Sequence, residues 1–257
     1  MFFIDVQGTL IDDNTKLPIS GATEFIDHLN QSSIPYVVIT NSTKYSSETF
    51  LSYLNTIGLN IPSERYLDPL MVLEERISKE KKIAAYGSEE FLNVLSALGY
   101  GLDYVAPDVV LIAIKEDFSA NEYSEIIEFL LSGCALVGMH ETSLYVKNHK
   151  RYPGVGAILK MLEYATSTSY EVVGKPSVSF FESALALLSQ QKANARFEEV
   201  TMISDDVTGD LLPAQGLGMR GVFVLSGKYR SAAEILPQLP RPPDAMYADI
   251  KAVLESL

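Results

Sequence analysis

The stretch FFIDVQGTL, residues 2–10, joins a short apolar run to a polar turn. The run predicts a buried strand, which places Asp5 at its end and Gln7 just beyond it. Further apolar strand segments follow along the 257-residue chain, each separated from the next by a segment with helical spacing of its apolar residues. Alternation of this kind is typical of α/β proteins in which helices cover both faces of a parallel sheet. We therefore predict an α/β fold with three layers, α/β/α.

The composition excludes several classes of function. The chain has 33 acidic and 20 basic residues, a formal charge of −13, and no basic stripe that would attract nucleic acid. Its one cysteine, Cys134, excludes an internal disulfide framework and a cysteine-based zinc cluster, and the three histidines lie at no metal-binding spacing. Because neither a basic leader nor a long uncharged apolar run occurs, we expect a cytoplasmic protein without a membrane partner.

Polar residues follow the ends of several predicted strands. In an open parallel sheet, ligands bind at the carboxyl ends of the strands, so these residues are expected to meet. They are Asp5; Thr40 and Asn41, after the strand PYVVI; Lys175, in the turn VVGKPS; and Asp205 with Asp210, after MIS.

This set of residue types favours phosphoryl transfer. Carboxylates from two strand ends can hold Mg²⁺, which prefers oxygen ligands, while a lysine and a hydroxyl group can hold an anion beside it. An aspartate next to the metal can also act as a nucleophile and form an aspartyl-phosphate. Each residue alone has an ordinary explanation as a turn, a helix cap or a surface lysine. Their order and their common position at strand ends are hard to explain in that way.

The same order of residues resembles the haloacid-dehalogenase (HAD) superfamily of aspartate-nucleophile phosphotransferases. The resemblance extends over nearly the whole chain and favours the subclass of NagD-like and 4-nitrophenylphosphatase-like proteins. Two stretches, residues 162–185 and 202–230, are similar to phospholysine phosphohistidine inorganic pyrophosphate phosphatase and its relatives. The resemblance implies a Mg²⁺-dependent phosphatase that acts on a small phosphorylated substrate.

The resemblance also implies a division into two domains. Residues 1–78 and 172–257 would form a Rossmann-like core, and residues 79–171 a large inserted α/β cap through which a homodimer can form. Residues 71–81 are predicted to be a helix at the start of this insertion, ending in the charged sequence KEKK.

The implied metal site combines four residues. Asp5 corresponds to the nucleophile, which is also a metal ligand, and the main-chain carbonyl of residue 7 can coordinate the same ion. Asp205 corresponds to the acidic Mg²⁺ ligand, and Asp210 to a second acid that acts through water.

The implied substrate site uses residues from the two other strand ends. Thr40 corresponds to the hydroxyl residue that binds the transferred phosphoryl group, and Asn41 donates beside it. Lys175 corresponds to the lysine that pairs with both the nucleophile and the phosphate.

Gln7 departs from the family pattern, in which a second aspartate stands two residues after the nucleophile. Glutamine cannot exchange a proton near neutral pH, so acid–base assistance worth roughly 10²–10⁴-fold is missing, although its amide can orient water. This favours substrates with good leaving groups, such as aryl phosphates, pyrophosphate and N-phosphorylated groups. Two alternatives remain: a weakly active or non-catalytic protein that binds a phospholigand, and cleavage of a C–Cl or C–P bond, against which Asp205 and the large cap argue.

Overall fold

The computed structural model describes residues 1–147, 150–229 and 231–257, and its larger sheet has six parallel strands. The strands are β1 (Phe2–Ile4), β2 (Tyr36–Ile39), β3 (Tyr66–Leu67), β11 (Thr201–Ser204), β12 (Arg220–Val224) and β13 (Ala245–Tyr247). Along the sheet their order is β13-β12-β11-β1-β2-β3. Strands β11, β1 and β2 are therefore neighbours, and their carboxyl ends lie at one edge.

Helices cover both faces of this sheet. One face packs against α1 (Ala22–Gln31), α2 (Ser47–Thr56) and α8 (Ile250–Leu254), and the other against α6 (Val178–Gln191) and α7 (Leu212–Gly216). Because side chains alternate along a strand, adjacent residues of β1 enter different cores: Phe3 packs towards α6 and Ile4 towards α1. The predicted three-layer α/β/α arrangement is confirmed.

The segment between β3 and β11 forms a second parallel sheet. Its five strands are β4 (Lys82–Tyr86), β5 (Gly101–Leu102), β6 (Val109–Ile112), β7 (Ala135–Gly138) and β10 (Tyr170–Val172), in the order β10-β7-β6-β4-β5. Helix α3 (Glu89–Ala97) packs on the face that adjoins the larger domain, and α4 (Ala120–Leu131) and α5 (Val155–Thr166) cover the opposite face. An antiparallel hairpin, β8 (Leu144–Lys147) and β9 (Lys150–Pro153), extends from β7. The larger sheet falls within the predicted core ranges, and the second sheet falls within the predicted cap range except for Val172 at the end of β10. The domain boundaries stay a prediction.

The helix predicted over residues 71–81 is wrong. This connection contains only a single 3₁₀ turn, Leu73–Glu75, because the carboxylate of Asp68 accepts hydrogen bonds from the backbone of Leu70 and Met71 and sets a turn. Its buried apolar residues join the packing between the two sheets instead of lining one helical face. His149, one of the three histidines, lies outside the described residues. No helix in the described part of the chain has the length and apolar character that crossing a bilayer requires.

Candidate active site

Six of the seven predicted residues line a cleft between the two sheets, with a volume of about 1080 Å³. The seventh, Thr40, is buried and forms a hydrogen bond to Gln7. The floor of the cleft contains Asp5 and Asp205 from the ends of β1 and β11, and Lys175 from the turn after β10. These three side chains are almost completely buried although they line an open cleft, because the surrounding loops enclose them. The cleft therefore places charged groups in a low-dielectric setting, where electrostatic effects are stronger than in water.

Lys175 is the centre of a buried ion-pair network. Its ammonium lies 2.5 Å from Asp5 Oδ1 and 2.7 Å from Asp210 Oδ2, and the side chain is only 2% exposed. Burial alone lowers the pKa of Lys175, but the two carboxylates outweigh it, so the pKa is raised and the ammonium stays charged. Burial, reinforced by the charges of Asp5 and Asp206, raises the pKa of Asp210 to about 6 despite Lys175. In this structure the Asp210 carboxylate thus forms an ion pair with the Lys175 ammonium.

Loss of the Lys175 charge should destabilise the fold. For Lys175→Met we expect the free energy of unfolding at pH 7 to fall by about 3–5 kcal/mol, since two buried carboxylates lose their partner. The carboxyls of Asp5 and Asp210 would then have pKa values further above those of the unfolded chain, so protonation favours the folded state. The deficit should therefore shrink as the pH is lowered from 7 towards 5.

Denaturant unfolding at several pH values measures this deficit. Lys192→Met removes an exposed pair with Glu199 and is the matched control, with an expected loss below about 1 kcal/mol. Equal losses of unfolding free energy in Lys175→Met and Lys192→Met would contradict the stabilising role of the buried ion-pair network.

Asn41 positions Lys175 through the main chain. Its side-chain oxygen accepts a hydrogen bond from the Lys175 backbone N–H at 2.9 Å, and its amide donates to the Lys175 carbonyl at 3.3 Å. Gly174 permits this approach, because a Cβ at that position would lie 2.7 Å from Asn41 Oδ1. In this structure the predicted substrate donor Asn41 orients the lysine.

Thr40 and Gln7 form a direct pair. The Thr40 hydroxyl donates to Gln7 Oε1 at 2.8 Å, and it accepts from the Ser42 backbone N–H at 3.1 Å. This leaves the Gln7 amide hydrogens without an acceptor among the described residues, on a side chain that lines the cleft. Residue 7 therefore presents a fixed hydrogen-bond donor where an aspartate would present a titratable acid.

Asp5 and Asp205 are the pair of carboxylates that fits a divalent cation. Burial, together with the charge of Asp5, raises the pKa of Asp205 well above its usual range. Asp205 Oδ2 accepts from the Lys228 backbone N–H at 2.7 Å, whereas its Oδ1 accepts nothing from the described residues. A hard cation would relieve this repulsion, with Asp5, Asp205 and the Gln7 main-chain carbonyl as oxygen ligands. Within the described ranges no three acidic, histidine or cysteine side chains converge as a complete metal-binding group.

Glycine is required beside Asp205. A Cβ at Gly227 would lie 1.9 Å from Asp205 Oδ2, and one at Gly8 would lie 2.3 Å from the same atom. Gly8 also has a φ of +73°, which favours glycine. The Ser226 hydroxyl donates to the Gly8 carbonyl at 2.7 Å and ties together the loops that follow β1 and β12.

Three polar residues not assigned a role from the sequence complete the site. Ser204 donates to Asp210 Oδ2 at 2.7 Å, which fixes the carboxylate that holds Lys175. Lys228 forms a close ion pair with Asp206, and its charge outweighs burial, so the pKa of Asp206 is lowered. Strand β12 adjoins β11, so the loop after β12, which contains Lys228, reaches the same sheet edge. This topology is the feature from which Lys228 could have been expected at the site.

His140 is buried at the edge of the cleft. Burial, with the charges of Lys228 and Lys175, lowers the pKa of His140 to about 3, so the ring is neutral at physiological pH. Its Nδ1 accepts from the Thr142 backbone N–H at 3.3 Å, which leaves the proton on Nε2. The ring is thus a fixed donor in the cleft.

The fold and the site are those of a class of hydrolases whose members have an aspartate at the end of the first strand of the core sheet. A family model described as haloacid dehalogenase-like hydrolase matches residues 2–101, and a HAD-hydrolase-like model matches residues 172–253. The chain belongs to the haloacid dehalogenase-like hydrolase family, as its sequence predicts.

Individual relatives support the subclass. Mouse phospholysine phosphohistidine inorganic pyrophosphate phosphatase is 30% identical over 246 residues, covering 92% of this chain and 86% of its own. Mouse haloacid dehalogenase-like hydrolase domain-containing protein 2 is 30% identical over 233 residues, with 90% and 86% covered. Among solved structures, the p-nitrophenyl phosphatase from Archaeoglobus fulgidus has a TM-score of 0.85 at 20% identity, with 100% of this chain and 98% of its own covered. NagD from Escherichia coli has a TM-score of 0.76 at 22% identity, with 97% and 96% covered.

Proposed function

We propose that this protein is a Mg²⁺-dependent phosphatase that transfers a phosphoryl group from a small substrate to Asp5 and then to water. The observation that carries the proposal is the buried contact of Lys175 with Asp5, on a sheet edge where Asp205 stands beside the same carboxylate. The ammonium holds Asp5 in place and supplies positive charge where a phosphoryl group would bind. A cation held by Asp5, Asp205 and the Gln7 carbonyl would supply further charge neutralisation.

In the first step an Asp5 carboxylate oxygen attacks phosphorus, and the bond to the leaving-group oxygen or nitrogen breaks. The leaving group departs with the electron pair and takes its proton from solvent, because Gln7 has none to give. In the second step water attacks the aspartyl-phosphate, the Asp5–phosphorus bond breaks, and the water proton passes to solvent. The Gln7 amide, fixed by Thr40, can donate to an oxygen in either step.

The outer cleft supports small substrates with an aromatic leaving group. Tyr45 and Tyr53 line it from the core side, and Tyr145 lines it from the hairpin of the second domain. An aryl leaving group would pack on these rings and depart as a stabilised anion, which suits a site without an acid. The names of the relatives, which include p-nitrophenyl phosphatase and a phospholysine, phosphohistidine and pyrophosphate phosphatase, add further candidates with good leaving groups.

Release of p-nitrophenol from p-nitrophenyl phosphate tests the proposal. With Mg²⁺ we expect turnover, and a chelator should abolish it until excess Mg²⁺ is restored. The reason is that the buried carboxylates Asp5 and Asp205 repel a phosphoryl group unless a cation neutralises them. Turnover that is unaffected by the chelator would contradict the metal dependence.

A second candidate function is binding of a phosphorylated ligand without turnover. The observation that favours it is the Gln7 amide, which offers a donor but no acid or base. Binding of orthovanadate by a folded protein that releases no p-nitrophenol would support this candidate. A homodimer through residues 79–171 and a cytoplasmic location stay predictions from the sequence.

A further inference from the structure

Lys228 has no part in the proposed chemistry, yet its charge lies inside the carboxylate cluster. Its ammonium contacts Asp206 Oδ2, and its backbone N–H donates to Asp205 Oδ2 at 2.7 Å. Its charge also acts on Asp205, Asp210 and His140. The side chain is mostly enclosed but lines the cleft floor.

The charges of the site do not balance without a further cation. Asp5, Asp205, Asp206 and Asp210 are all buried here. The ammonium groups that contact them are those of Lys175, which is buried, and Lys228, which is 22% exposed. With all four carboxylates ionised, as metal ligation requires, the two ammonium groups leave two negative charges, the charge that one divalent cation neutralises. Without Lys228 three negative charges would remain, in a setting where unpaired charge is costly.

We propose that Lys228 is a permanent counter-ion of the cation site, which keeps the aspartates together without metal and weakens Mg²⁺ binding by its own charge. Asp206, which follows Asp205 in the chain, holds the Lys228 ammonium close enough for its charge to act on Asp205. A cation that binds at Asp205 is therefore repelled by this ammonium. The inference rests on the proposed function, since it assumes that Mg²⁺ binds at Asp5 and Asp205.

Two substitutions separate the charge of Lys228 from its shape. Lys228→Met keeps much of the side-chain length but removes the charge, whereas Lys228→Arg keeps the charge and changes the shape. Lys44→Met is the matched control, since Lys44 lines the same cleft but pairs with Glu90 at 3.3 Å, outside the carboxylate cluster.

Calorimetric titration of each full-length variant with Mg²⁺, in the absence of substrate, measures the effect. Lys228→Met is expected to bind Mg²⁺ at least about tenfold more tightly than the wild type, because a nearby like charge is gone. Lys228→Arg and Lys44→Met should stay within about threefold of the wild type. Thermal unfolding should show a lower melting temperature for metal-free Lys228→Met and a larger rise on adding Mg²⁺ than in the wild type.

The outcomes separate this inference from the proposed function. Mg²⁺ binding to Lys228→Met that is unchanged or weaker, while the wild type binds, would overturn the counter-ion role alone. An affinity that changes equally in Lys228→Met and Lys228→Arg would mean that shape matters and would also overturn it. Absence of Mg²⁺ binding in the wild type and in every variant would overturn both the counter-ion role and the proposed metal dependence.

Discussion

Replacement of Asp5 by asparagine is expected to reduce p-nitrophenyl phosphate turnover by roughly 10⁴-fold or more, because an amide cannot attack phosphorus or form the covalent intermediate. Asparagine has nearly the same shape and removes a buried carboxylate whose pKa is raised by burial. The folded state should therefore persist, with Lys175 still paired to Asp210.

The control for Asp5→Asn is a carboxylate that lines the same cleft but lies outside the cluster of Asp5, Asp205, Asp206 and Asp210. Asp117 lines the cleft from the second sheet and is largely exposed, so Asp117→Asn should retain turnover within about threefold. Circular dichroism of each variant establishes that the fold is intact. An Asp5→Asn protein that keeps more than about a tenth of wild-type turnover would show that Asp5 is not the nucleophile.

Replacement of Gln7 by aspartate should accelerate the hydrolysis of substrates with poor leaving groups. The new carboxyl can protonate the leaving group and activate water, assistance worth roughly 10²–10⁴-fold for alkyl phosphates. Aryl phosphates should gain much less, because their leaving groups depart readily as anions. In the wild type the rate should therefore depend steeply on the leaving-group pKa, and in Gln7→Asp the dependence should be shallow.

A plot of log kcat/KM against leaving-group pKa, for a series of aryl and alkyl phosphates, checks this expectation. Gln7→Asn shortens the side chain by the same amount but adds no titratable group, so it should show no gain. A wild-type protein that already cleaves alkyl phosphates as fast as aryl phosphates would contradict the assigned role of Gln7. So would an equal gain in Gln7→Asp and Gln7→Asn.

The residues on neighbouring strand ends were predictable because topology alone brings them together. Asp5, Thr40 and Asp205 end three adjacent parallel strands, and a short apolar run followed by a polar residue marks such an end. The position of Lys175 was predictable from its turn. Its ion pair with Asp210 was not, because the family resemblance implies that Asp210 acts at the metal. The sequence pattern thus predicted which residues meet at this sheet edge but not all of their contacts.

The remaining features depend on tertiary contacts that no local pattern reports. Residues 71–81 have helical apolar spacing, yet their apolar side chains pack between two sheets and the segment turns at Asp68. Asn41 binds the backbone of a residue 134 positions away, so its role follows from the fold alone. Lys228 lies four residues beyond the end of β12, in a loop whose sequence resembles any polar connection. The adjacency of β12 and β11 brings it to the cluster.

The most direct test of the central claim is to detect the phosphoryl group on Asp5 itself. The protein would be mixed with p-nitrophenyl phosphate and Mg²⁺, quenched in acid within the first turnovers, reduced with borohydride and digested for mass spectrometry. We expect the peptide containing residues 2–10 to carry homoserine at position 5, the product of reducing an aspartyl-phosphate, and the Asp117→Asn control to do the same. Turnover with no modification at Asp5, or with modification of another carboxylate, would contradict the account.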